Sequence, residues 1–329
     1  MLVIRFGRAD LANVRFAISP LMELHRSVRA LDDPAAQAIH LPWIASTREL
    51  VDDLPMDLLH AFQPGNWYAP DFIHPPPTTP LAEFEDELAE MLATPDEQVV
   101  SEIRFAAKEG QLPPLLSPFL DDPRAAVAEL AELVRAYWER AIAPHWERLR
   151  SVLEGDVLYR ARQMADGGAE ALFADLHPEA RYEDDALWIE KPFEETVTLD
   201  GRGLLFVPSA FAWPRLFALT EPPWQPTLMY PARGVATLWE PGRATAPEAL
   251  VQLLGARRAA VLSALSAPRS TTELARSLGL SAPSVSQHLA VLRDAGLVNG
   301  HRVGRVVLYM RSPTGESLSG QAPLSASGS

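Results

Sequence analysis

A chain of 329 residues with 47% hydrophobic and 22% charged side chains has the composition of a soluble globular protein, and the length for two domains with separate cores. Its formal net charge is −14, and it has no cysteine, which excludes disulfides, thiolate metal sites and cysteine nucleophiles. No run approaches the roughly 18 apolar residues of a membrane span. The opening MLVIRFGRADLANVRF is interrupted by Arg5, Arg8 and Asp10, so the expectation is a cytoplasmic protein without a signal peptide.

In chain order, the first predicted element is a short strand, LVIRF. Helices follow: Ser19 before Pro20 opens SPLMELHRSVRAL, TRELVDDL reads as helical, and Thr79 before Pro80 opens TPLAEFEDELAEML. The strongest helical run extends from DPRAAVAELAELVRAYW to RQMADGG. There Leu130, Leu133, Val134, Tyr137 and Trp138 recur at three- and four-residue spacing, and Pro144 marks a break or kink. The pattern then changes to ALWIEK, EETVTLD, GLLFVPS and PTLMYPA, short β-rich runs between Gly, Pro and Asp turns. Residues 1–240 therefore read as an α+β domain, helices first and a small antiparallel sheet second, suited to sensing or dimerisation. From Glu240, EPGRATAPEAL is a linker or the start of the next helix. The tail, residues 313–329, is small and polar and predicted to be mostly disordered.

Residues 245–312 read as a winged helix. Leu274 and Leu278 share one face of TTELARSLGL, and Gly279 supplies the left-handed turn. Ser281 caps the following helix, with Pro283 in its first turn. Val285, Leu289 and Leu292 face the core by i, i+4, i+7 spacing, whereas Ser284, Gln287, Ala290 and Val291 face away with Ser286 and His288 at the flanks. Small and amide-bearing residues suit a major groove, where Gln can bond bidentately to adenine. LVNGHRVGRVVLYM reads as a hairpin with Gly304 at its tip and Arg302 and Arg305 on either side, placed to reach phosphates or the adjacent minor groove. Charge agrees: residues 245–316 hold eight arginines against four acids, a net of +4, while residues 1–244 carry −18.

TTELARSLGLSAPSVSQHLAVLRDAGLV followed by RVGRVVLY resembles the ArsR-type winged-helix transcriptional regulators, over roughly residues 247–312. The resemblance implies a homodimer, mostly of the repressor type, on double-stranded DNA. It places Ser284, Ser286, Gln287 and His288 at the major groove and Arg302 and Arg305 on the wing. The chain departs from the family in two ways. The cysteines or His/Asp pairs of the family's metal sites are missing, so neither metal nor cofactor is expected. The long C-terminal helix that completes the family's dimer is also missing or shrunk to PTGESLSG, which puts dimer contacts on the helix before Pro268 or on the N-terminal domain.

All eight tryptophans precede residue 240. They either line a pocket for a small apolar or aromatic effector or serve as core and inter-domain packing. FQPGNWYAPDFIHPPP, Phe62 to Pro77, is too long for an ordinary connection and reads as a lid or packing arm. The histidines show no metal-ligand spacing, and GxSxG, P-loop and GxGxxG motifs are absent, so no enzyme is expected. Two functions remain: a DNA-binding regulator controlled through its N-terminal domain, or an adaptor whose winged helix binds another protein.

Overall fold

The computed structural model describes residues 1–63, 69–107, 112–239, 248–265, 268–303 and 306–319. Its class is α+β, and it divides into two units: residues 1–147 with 159–232, and residues 148–158 with 233–329.

The first unit contains helices α1 (Arg8–Ala12), α2 (Pro20–Asp32), α3 (Leu41–Val51), α4 (Met56–Ala61), α5 (Phe84–Leu92), α6 (Asp96–Ala107), α7 (Pro118–Asp121), α8 (Pro123–Tyr137) and most of α9 (Trp146–Phe173). Between α8 and α9 the chain passes through a π-turn, Trp138–Ile142, and a 3₁₀ turn, Ala143–His145. Pro144 lacks the N–H that a continuous helix needs there, so the predicted break is real.

Its strands are β1 (Leu2–Arg5), β2 (Arg15–Phe16), β3 (Ala180–Glu183), β4 (Ala186–Ile189), β5 (Glu195–Thr198), β6 (Leu205–Ser209), β7 (Phe217–Leu219) and β8 (Thr227–Pro231). They form two four-stranded sheets, ordered β3-β4-β1-β5 and β2-β6-β8-β7. Neither is the purely antiparallel sheet that the sequence suggested. β1 pairs parallel with β5, as do β2 with β6 and β6 with β8; β3–β4, β1–β4 and β7–β8 are antiparallel. The physical reason is connectivity: β1 and β2 return to strands laid down more than 170 residues later, and such long crossovers permit parallel pairing that hairpins cannot. Leu2, Ile4, Phe173, Leu187, Phe206 and Tyr230 belong to the core that the two sheets share.

Helix α2 is enclosed almost all round. Ser19 caps it by accepting the Met22 N–H at 3.0 Å, and Glu87 of α5 accepts the Leu21 N–H at 2.8 Å. Two of its buried polar side chains find internal partners, whereas the Arg26 Nε has no acceptor among the described residues: Glu23 accepts the Ala210 N–H at 2.8 Å, and the Ser27 hydroxyl lies 2.9 Å from that of Tyr137. Burial raises Glu23 to a pKa of about 7 and Glu87 to about 8.

The second unit contains α10 (Glu248–Leu254), α11 (Ala256–Ala264), β9 (Arg269–Ser270), α12 (Thr271–Leu278), α13 (Ala282–Asp294), β10 (Val298–Val303), β11 (Val306–Arg311) and α14 (Pro313–Leu318). Val261, Leu262, Leu274, Val285, Leu289 and Leu292 form its core. It also takes in residues 148–158 of α9, which the sequence boundary of 1–240 assigned elsewhere. Within that unit Gly155 approaches Pro268 closely: a Cβ there would sit 2.7 Å from the Pro268 ring. Asp156 adds an accepted N–H from Arg233 at 3.0 Å.

The segment expected to be a disordered tail begins with the helix α14. Ser312 donates its hydroxyl hydrogen to the Gly296 carbonyl and accepts the Gly315 N–H at 3.1 Å. Gly315 is required there, because a Cβ would overlap the Leu297 carbonyl oxygen. Residues 320–329 lie outside the described residues.

Candidate nucleic-acid interface

The helix–turn–helix is built by local signals. Ser270 and Glu273 form a capping box at the start of α12, with the Ser270 N–H donated to Glu273 at 2.7 Å. Gly279 ends α12 at φ 64°, ψ 33°, the left-handed conformation predicted for it. Ser281 then caps α13, and Pro283 occupies its first turn. Val285, Leu289 and Leu292 are buried to 1% exposure or less, which fixes the rotation of the helix.

That rotation settles which side chains reach solvent. Ser286 and Gln287 are exposed, while Ser284 and His288 are half-buried, with Ser284 Oγ 3.5 Å from His288 Nε2. Val291 is also exposed, at 43%. No acid lies in the first turn of α13; Asp294 comes at its end, 3.9 Å from Arg293. The four predicted α13 residues thus share one helix and its accessible side. Arg302 is exposed on β10, in register with Val307 of β11. Arg305 and Gly304 lie outside the described residues.

Two features escaped the sequence reading. Arg257 and Arg258 are exposed at the start of α11 and act on His288. The imidazole is held below its usual pKa by burial first, then by Arg258 and Arg257. Proximity to His288 depends on the α11–α13 packing, which no local signal encodes. Arg311 is the opposite case. It counted toward the +4 of this region, yet it is 7% exposed and donates from Nε to the Leu262 carbonyl at 2.8 Å and from Nη2 to the Ser263 carbonyl at 2.7 Å. It caps the C-terminus of α11, a structural use of the charge.

The three-stranded sheet β10-β11-β9 completes the wing, with β10 and β11 antiparallel from Val298↔Arg311 to Val303↔Val306. Residues 256–300 match the family described as bacterial regulatory protein, arsR family. This segment is an ArsR-type helix–turn–helix domain. The HTH-type transcriptional regulator Rv2034 of Mycobacterium tuberculosis is 46% identical over 61 residues, which are 18% of this chain and 57% of that protein. The HTH-type transcriptional repressor SmtB of the same organism is 47% identical over 53 residues, 16% of this chain and 39% of that protein. The chain therefore spans about half the length of the curated relatives it matches. Ahead of the ArsR-type domain, residues 105–236 match a family of unknown function, DUF5937. No solved structure gives a significant match. Among the described residues, no group of three or more His, Asp or Glu side chains is placed to hold a metal around the ArsR-type domain or elsewhere. No described helix is long and apolar enough to cross a membrane.

Proposed function

We propose that the protein is a DNA-binding transcriptional regulator, a homodimeric repressor that reads an operator through α13 and the wing and is controlled through its first unit. The observation that carries this reading is the solvent side of α13. Ser286 and Gln287 are exposed, no acid of α13 precedes Asp294, and Arg258 and Arg257 act electrostatically on His288. Such a face fits an anionic groove, because it adds hydrogen-bonding groups without bulk and without repelling phosphates. The repressor assignment follows the printed names of the SmtB relatives. A two-fold dimer would present two copies of α13 to half-sites roughly 34–36 Å apart.

Selection of bound fragments from genomic DNA, followed by affinity measurement on the enriched sequence, tests the proposal. With about 6–10 phosphates engaged, affinity falls on the order of 10³- to 10⁵-fold between 50 and 200 mM salt. No enriched sequence, or an affinity indifferent to salt, would remove the DNA reading and favour a protein partner for the same face.

A further inference from the structure

The first unit holds a partly open cavity of about 400 Å³, within the roughly 300–1,000 Å³ of small-molecule sites. None of its described tryptophans lines it. Trp43 is buried and donates its indole N–H to the Ala141 carbonyl at 3.0 Å, Trp138 stacks on Phe84 at 4.4 Å, and Trp224 donates to Glu102 at 2.7 Å. Trp67 lies outside the described residues. The apolar wall comes instead from Phe193, Leu216, Phe217 and Met229.

The charged groups of this cavity are arranged unequally. Arg26, on α2, is 6% exposed and lines the space, yet among the described residues it makes no ion pair and no hydrogen bond. Its Nε is buried without an acceptor, and its guanidinium carbon stands 4.3 Å over the Phe217 ring. Arg29, Arg215 and Lys191 line the same cavity; the Lys191 ammonium donates to the Leu216 carbonyl at 2.6 Å. Burial lowers Arg26, Arg29 and Lys191 first; then Arg29 lowers Arg26, and Arg215 lowers Arg29 and Lys191. Four acids also line the space. Asp71 acts on Arg26 through its charge. Glu195 is raised by burial and then by Glu221, which sets these two carboxylates near each other; Glu194 is exposed. His74, held at about 3 by burial and by Arg26, is neutral.

We infer that this cavity binds a small organic acid, its carboxylate on Arg26 and Arg215 and its apolar body against Phe217, Phe193 and Met229. A buried guanidinium without an acceptor leaves donors unsatisfied, and a planar carboxylate meets their fork geometry bidentately. Glu195 and Glu221, on the same lining, disfavour a second negative charge and select a monoanion. The inference gives a ligand class to the control proposed for the first unit, but it concerns binding to the protein alone. Its failure leaves the DNA reading untouched, and the converse holds.

The test is isothermal titration of the full chain, without DNA, using phenylacetate, neutral phenylacetamide and the cation phenethylammonium. The acid is expected to bind with saturation and about 10- to 100-fold more tightly than the amide, with the amine weakest. Arg26→Gln is expected to remove that preference. Arg215→Gln, at an exposed position, is expected to reduce it even if Arg26→Gln fails to fold. Equal binding of acid and amide, tightest binding of the amine, no saturable binding of any probe, or an acid preference unchanged in Arg215→Gln would each overturn the assignment.

Discussion

Helices α2 and α13 begin alike and end in opposite environments. SPLMELHRSVRALD and SAPSVSQHLAVLRD each have a serine cap, a proline in the first turn, an apolar ladder and a His among polar residues. In α13 the polar side is accessible, whereas α2 buries Glu23, His25, Arg26 and Ser27. The comparison teaches that caps and periodicity specify a helix and its core face but leave the fate of the other face to the surroundings. α2 is covered by residues from 87, 137 and 210, far away in sequence.

The apolar ladders should show the largest effect, and a similar one in both helices. Leu24→Ala and Leu289→Ala each empty a fully buried site and should cost about 2–5 kcal/mol by denaturant unfolding. If either were nearly neutral, the two ladders would not be equivalent.

Polar substitutions should separate the helices. Glu23→Ala strips the Ala210 N–H of its acceptor inside the protein and should cost about 1–3 kcal/mol of stability. Gln287→Ala should stay within about 0.5 kcal/mol in stability. Its cost, about 1–3 kcal/mol, should appear as lost discrimination at one base per half-site in a binding selection. Unchanged base preferences for Gln287→Ala would mean that α13 is docked differently.

Titration sharpens the contrast further. Glu23 and Glu87 are raised from 4.5 to about 7 and about 8, so the folded state holds protons that the unfolded chain has released. Their contribution is present below pH 4.5 and is lost as pH rises through 7 to 8. His40 and His74 are lowered from 6.5 to about 4 and about 3, and His25 falls in the same direction, all first by burial. Their contribution is present above pH 6.5 and is lost as pH falls through 4 to 3. Between pH 6.5 and 8.5 only the glutamates act among these five groups, and the thermal midpoint of the first unit should decline. Glu23→Gln should flatten that decline; an unaltered slope would show that Glu23 does not titrate there.

The smallest effect should be at the wing. Arg302→Ala should leave base preference intact and lower the salt dependence of DNA binding by about one contact per subunit. A change in preferred sequence would make Arg302 a base reader instead of a phosphate contact.

Much of the ArsR-type domain was legible in the sequence because its signals are local. Gly279 needs φ > 0, Ser281 caps the next helix, and Val285, Leu289 and Leu292 fall on one face whatever lies nearby. The α+β class and the break at Pro144 are legible for the same reason: proline chemistry and strand propensity act within a few residues. Other features required the tertiary structure. The parallel pairing of β1 with β5, the capping of α11 by Arg311, the influence of Arg257 and Arg258 on His288, and the unpaired Arg26 over Phe217 all join residues distant in the chain. A charged side chain looks the same in sequence whether it meets solvent, a carbonyl or a cavity. Only the packing around it decides which, because desolvation and partnering arise from neighbours that its own segment does not supply.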